Sequence, residues 1–133
     1  KHFSFSMNEN PAPDHIHVFE SAIDAMSYAT MLLLNGKEWK KETFLSLAGV
    51  YKTKREKVVP VALERYLKDY PSIKTVHLHL DNDGIGRGAV AGIVSGLQEK
   101  YTVLDEPPLH GKDVNDELKI RVGIMREREE IER

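Results

Sequence analysis

The sequence predicts an α/β sandwich, a parallel sheet of about four strands flanked by helices, and three observations carry that prediction. Short apolar runs alternate with stretches of helical length, the pattern of a sheet whose strands are joined by packed helices. The third run leads straight into a glycine-rich turn and a helix of small residues, which can sit close against a sheet. A length of 133 residues with 41% hydrophobic content supports one core and leaves no room for a second.

Each element has a local reason. Phe3 to Met7 alternates at period two and reads as an added edge strand, with residues 1–14 as strand and linker. His15 to Glu20 is the first central strand, and Ser21 is placed to cap a helix from Ala22 to Leu34 that stops at Asn35-Gly36. Thr43 to Ala48 is a strand ending at Gly49. A helix from Val58 to Tyr70 accommodates Pro60 in its first turn and ends before Pro71. Thr75 to Leu80 is the third strand, followed by the turn Asp81 to Gly88 and a helix from about Ala89 to Lys100. Tyr101 to Leu104 is the fourth strand, and after Pro107-Pro108 a charged helix runs from Asn115, its segment 119–133 strongly polar.

Composition narrows the function. The chain has no cysteine, which excludes a disulfide-stapled secreted module and a thiolate zinc site and suits a reducing cytoplasm. No apolar run is long enough to span a bilayer, so no membrane partner is expected. The first residues are Lys1-His2-Phe3 rather than methionine, which reads as a piece of a longer polypeptide with further domains. Net charge is -2, so bulk electrostatics do not hold nucleic acid here. Between Lys37 and Lys57, however, seven basic residues face three acidic ones. Lys40 and Lys41 in that stretch are candidates for a phosphate-facing patch, against a second reading as a solvated surface. Trp39 beside them either stacks on a base or covers the end of the core.

In an open parallel sheet, ligands bind beyond the carboxyl ends of the strands. There the sequence places Glu20 after the first strand, Asp81 and Asp83 after the third, and Asp113, Asp116 and Glu117 after the fourth. Carboxylates gathered at one edge raise one another's pKa unless a cation neutralises them, and a hard divalent ion such as magnesium takes oxygen ligands while keeping room for water and phosphate. Gly84, Gly86 and Gly88 let backbone approach a phosphate at a helix start, with Arg87 and Lys112 nearby as contacts. Glu20 is placed to exchange a proton with an attacking or leaving oxygen. Together these residues describe metal-assisted phosphoryl chemistry. Asp83, Asn115 and Asp116 also have a second reading as helix caps, and Glu20 as a salt-bridge partner of Lys112 or Arg87.

Rival motifs fail in detail. An EF-hand needs Asp or Asn where Ile85 stands and a glutamate where Val90 stands. The glycines are spaced G-x-G-x-G rather than G-x-G-x-x-G, which is not the dinucleotide fingerprint. A haloacid-dehalogenase-type phosphatase also has Asp-x-Asp-Gly after a strand, but Ile85 replaces its usual threonine and Glu20 would have no role. His15/His17 and His77/His79 each alternate on one strand face. They read as imidazoles packed between sheet and helix, since no third zinc ligand is evident in the sequence.

Three segments carry a resemblance when taken together: Val18 to Ala25, Leu80 to Ala89 and Gly111 to Leu118. In order and placement they resemble the Toprim domain of bacterial primases, type IA and type II topoisomerases and some nucleases, and most resemble the primase-like domains of plasmid and transposon proteins. The resemblance implies a Toprim-like Rossmannoid sandwich in which Glu20 is the general acid or base. It also implies magnesium, with manganese as a substitute, on Asp81 and Asp83, and a further metal supported by Asp113 and Asp116. The implied partners are single-stranded DNA, nucleoside triphosphates and neighbouring domains of the same polypeptide. Implied activities are primase-like nucleotidyl transfer, or strand cleavage as in nucleases and topoisomerases; a non-catalytic DNA- or protein-binding module is the alternative of another class. One departure is Ser21, where the family commonly has glycine.

Overall fold

The structure is a computed structural model that describes residues 5–7, 10–47 and 59–132. Among the described residues five strands form one sheet: β1 (Phe5–Met7), β2 (His15–Phe19), β3 (Phe44–Ser46), β4 (Thr75–His79) and β5 (Thr102–Asp105), in the order β1-β3-β2-β4-β5. β2 pairs parallel with β3 and β4, β4 pairs parallel with β5, and β1 adds antiparallel to the β3 edge. The parallel α/β sandwich with an N-terminal edge strand is therefore the architecture. The expected residues Phe3, Ser4, Ala48, Gly49 and Val58 of these elements lie outside the described residues.

Alternation along the strands divides the core into two layers. Ile16, Val18, Val76 and Leu78 face α2 (Val61–Asp69) and α3 (Gly84–Leu97), where Leu63, Leu67, Val90, Ile93 and Leu97 close over them. On the other face Phe19 and Phe44 pack with Ala25, Ala29 and Met31 of α1 (Ala22–Leu34) and Val114 of α4 (Val114–Glu132). Trp39 packs against this second cluster, so it covers the end of the core. α4 is tied across α1 by Ser27 Oγ, which donates to Asn115 Oδ1 at 3.1 Å, and by Arg121, which donates to Asn35. Among the described residues no helix is long and apolar enough to cross a membrane.

α1 begins where the sequence places it, with Ser21 Oγ accepting the Asp24 amide at 3.2 Å. α2 runs from Val61 to Asp69, so Pro60 precedes the helix as its cap instead of sitting in its first turn as expected, and its missing N–H costs nothing there. α3 differs from expectation. It begins at Gly84 rather than Ala89, because Asp83 Oδ1 accepts the Gly86 amide at 2.6 Å and caps the first turn. The glycines are thus helical, and they are not equivalent. A Cβ on Gly86 would lie 2.1 Å from the Asp81 carbonyl oxygen, whereas one on Gly88 would meet nothing within 4 Å.

This contrast sets a paired expectation for chemical denaturation. Gly86→Ala drives a methyl into backbone that cannot yield cheaply, so stability falls by about 1–3 kcal/mol. Gly88→Ala relieves an exposed helical glycine and raises stability by about 0.5–1 kcal/mol.

Candidate metal centre

The strand order places the site. From β2 the chain moves to β3 on one side and returns to β4 on the other, so the β2–β4 boundary is a topological switch point with a crevice at its carboxyl end. Glu20 leaves β2 there and Asp81 follows β4. Glu20 Oε2 accepts the Asp81 backbone amide at 2.6 Å, which pins a carboxylate only 9% exposed across the crevice. The capped first turn of α1 brings in Asp24, itself 4% exposed, whose Oδ1 accepts the Asn115 amide at 3.1 Å. Asp113 arrives from the start of α4, where its Oδ1 accepts the Asp116 amide at 2.8 Å. Carboxylate oxygens of Asp24, Asp81 and Asp113 lie within 4.8 Å of one another.

Such proximity is costly without a counter-charge. Burial, the neighbouring Glu20 carboxylate and the charges of Asp113 and Asp83 push the Asp81 carboxyl up to about 7. Burial, followed among the raising causes by Asp113 and Asp81, also raises Asp24, against the Asn115 amide that holds its charged form. Asp81 Oδ1 is buried with no hydrogen-bond partner. A buried acceptor without a donor carries a full desolvation penalty, and a hard divalent cation is the partner that carboxylate oxygens at this spacing suit. The donor set therefore fits magnesium or manganese.

The other residues singled out by sequence have definite places. Asp83 caps α3 with Oδ1 and faces Lys112 Nζ at 3.6 Å with Oδ2. Asp116 turns its Oδ2 back to accept the Lys112 amide at 3.2 Å; the cap of α4 is Asp113, not Asn115 or Asp116. Arg87 Nη1 donates to both carboxylate oxygens of Asp105, at 2.9 and 2.7 Å, and Lys112 faces Asp83, so neither forms the salt bridge considered for Glu20. Gly84 is exposed at the start of α3, while Gly86 is buried with its amide committed to Asp83. Lys41 pairs with Glu38 at 2.7 Å and Lys40 lies over the Trp39 ring at 5.9 Å, both just before the amino end of β3 rather than at the carboxyl ends of the strands. The basic residues Lys52, Lys54, Arg55 and Lys57 lie outside the described residues. Asp24 is the residue that the sequence reading left out of the site. Its signal was an acidic side chain three residues beyond the helix cap, on the turn that follows Glu20.

Comparison with protein-family models matches residues 17–118 to the family described as Toprim-like. The chain belongs to the Toprim-like family. No curated protein and no solved structure matches it. The Toprim-like domain is a metal-binding fold of nucleic-acid processing, and in this chain the Asp24–Asp81–Asp113 group supplies hard oxygen donors at the crevice its sheet creates.

Raised carboxyl groups make the metal-free Toprim-like domain less stable as they ionise. An unfolded Asp81 titrates near 3.8 and the folded one near 7, so between these values the folded state holds more protons and stability falls as pH rises through the window. Buried His17 and His79, depressed to about 2 and about 3, act in the opposite direction, since their neutral forms are favoured as pH rises. The variant difference isolates Asp81: relative to wild type, Asp81→Asn gains stability in chelator as pH rises from about 4 to about 7, measured as the shift in urea midpoint at each pH.

Proposed function

We propose that the acidic crevice catalyses magnesium-dependent phosphoryl transfer on nucleic acid, in the primase-like form of nucleotidyl transfer from nucleoside triphosphates on a single-stranded DNA template. The reading places the chain in the cytoplasm, in a bacterial replication or mobile-element protein whose other domains help to hold DNA, as a near-neutral domain requires. One observation carries it: the buried, unpartnered Asp81 Oδ1 within a group of three carboxylates, at the switch point where parallel sheets bind ligands.

Asp24, Asp81 and Asp113 would hold the cation. When bound it would offset charge on the transferring phosphate and polarise its oxygens. Glu20 lies beside this group, pinned through Oε2 by the Asp81 amide, and takes the proton of the attacking hydroxyl as the new phosphodiester bond forms and pyrophosphate leaves. Asp83 and Asp116 support the group by fixing the start of α3 and the backbone of Lys112. The exposed first turn of α3 at Gly84 and the Lys112 ammonium favour the phosphates. Strand cleavage would use the same residues, with water as the attacking group.

Calorimetric titration and activity assays separate these roles. Asp81→Asn and Asp24→Asn weaken magnesium and manganese binding. Glu20→Gln retains binding and lowers turnover about 10²- to 10⁴-fold. Primer synthesis that requires nucleoside triphosphates supports the nucleotidyl-transfer form, and nicking without them supports cleavage. Turnover unaffected by Asp81→Asn would overturn the catalytic reading altogether and favour a binding module.

A further inference from the structure

The α1–α4 face of the sheet carries a second constellation that the acidic crevice does not use, and it reaches the opposite, amino end of β2. His15 and His17 of β2 and His77 and His79 of β4 point to the α1–α4 face, because residues two apart on a strand share a face and the parallel register sets His17 opposite His77. Their rings form a packed array, with His17 stacked on His77 at 4.5 Å and on His79 at 5.0 Å between centroids. Two carboxylates that are distant in sequence close on this array. Glu42 reaches it from the segment before β3, and Glu106 reaches it from the end of β5, where Oε1 accepts from His77 Nδ1 at 2.8 Å.

Within the array one point collects three donors. His15 Nδ1 is held by Asp14 Oδ1 at 2.5 Å, and its Nε2 contacts Glu42 Oε2. His17 Nδ1 lies 2.8 Å from His79 Nε2, and its own Nε2 faces the same Glu42 oxygen at 3.5 Å. Each imidazole thus has Nδ1 engaged and Nε2 turned to a shared carboxylate oxygen. With no ion bound, a proton lies between His15 Nε2 and Glu42; an ion that displaces it would meet an Nε2 lone pair, with the remaining ring proton on Nδ1. A hydrogen-bond partner on the second ring nitrogen is the usual support of a metal-bound histidine. Donor atoms of His15, His17 and Glu42 all lie within 4.8 Å. Bonds of about 2.0–2.1 Å to zinc in tetrahedral geometry set neighbouring ligand atoms roughly 3.3 Å apart, close to the His17–Glu42 separation of 3.5 Å, whereas the hydrogen-bonded His15–Glu42 pair must part to admit an ion. The three residues also line a cavity of about 490 Å³ with Asp14, Lys74 and His77, which leaves a fourth position open to water or a small ligand.

We propose that His15, His17 and Glu42 form a binding site for zinc or a similar divalent transition ion, separate from the acidic crevice and backed by Asp14 and His79. The two sites differ in hardness as well as place. Imidazole suits zinc, nickel or iron, whereas carboxylates alone suit magnesium and manganese. His15 starts β2 and Glu20 follows its end, so roughly 3.3 Å per residue separates them along the strand. The alternative trio of His17, His79 and Glu106 shares one ligand with this one. Its Glu106 is already hydrogen-bonded to His77, and none but His17 of that trio lines the cavity.

The test is metal titration of the whole chain after chelator treatment, using zinc for calorimetry and cobalt(II) for visible absorption. One equivalent of zinc is expected to bind in the presence of excess magnesium, to raise the melting temperature, and to give cobalt the intense bands of a four-coordinate ion. His15→Gln and Glu42→Gln alter half-buried side chains rather than the core, so they are expected to keep the circular dichroism spectrum. Each should weaken zinc at least about 10- to 100-fold. Asp81→Asn/Asp113→Asn is expected to leave zinc binding intact, which separates this site from the proposed catalytic one. Zinc binding that is absent from the wild-type chain, survives both ligand variants unchanged, or vanishes in the double aspartate variant overturns the proposal.

Discussion

The register of β2 against β4 is the constraint on which the rest of the molecule depends. With His15 opposite Thr75 and Phe19 opposite His79, Ile16, Val18, Val76 and Leu78 all enter one core layer. The histidines and Phe19 enter the other. The same register brings Glu20, one residue past β2, beside Asp81, two residues past β4, close enough for the Glu20 carboxylate to accept the Asp81 amide. A one-residue slip would turn each side chain of one strand to the opposite face. It would bury imidazoles among Leu63 and Ile93 and separate the two carboxyl groups. Parallel pairing in the interior of a sheet makes that slip expensive, so both ends of the strand pair are held by the apolar residues between them.

The two ends handle charge differently. At the carboxyl end the protein collects like charges and leaves one oxygen of Asp81 without a donor. Folding energy from the Leu- and Ile-rich layer offsets the cost, and the arrangement is stable only because burial of the apolar strands is larger than the local repulsion. Gly86 belongs to this compromise: only a residue without a side chain lets α3 start directly on the Asp81 carbonyl. Within the histidine array, His17 and His79 are held neutral by burial, and the imidazoles pair with one another and with Glu42 and Glu106. Polar groups there are satisfied by partners, as buried polar groups usually are.

Charged surface features do less than their number suggests. Arg87 and Lys112, which flank the acidic crevice in sequence, are paired with Asp105 and Asp83. Lys41 is paired with Glu38, and Trp39 is turned to the Phe19–Phe44 layer. Exposed pairs of this kind contribute little to stability. Among them, Lys112 is held beside the acidic turn, 3.6 Å from Asp83.

Much of the fold was legible in the sequence because local chemistry dictates it. Period-two alternation marked His15–Phe19 and Thr75–His79, Ser21 marked the start of α1, and Asn35-Gly36 marked its end. The acidic residues after the first, third and fourth central strands and the Toprim-like order of motifs were also visible from residue types and spacing alone. What tertiary structure decided is which distant groups meet. Asp83 was read as one of a pair with Asp81, but the start of α3 engages one of its oxygens as a cap, while Asp24 joins Asp81 and Asp113 from another helix. The histidines lacked a visible third ligand because Glu42 lies 25 residues beyond His17 in the chain (42 − 17), and only sheet assembly sets its carboxylate against their rings. Periodicity and caps are properties of neighbours in sequence, whereas a metal centre is a property of side chains brought together by packing, and no spacing along the chain encodes that approach by itself.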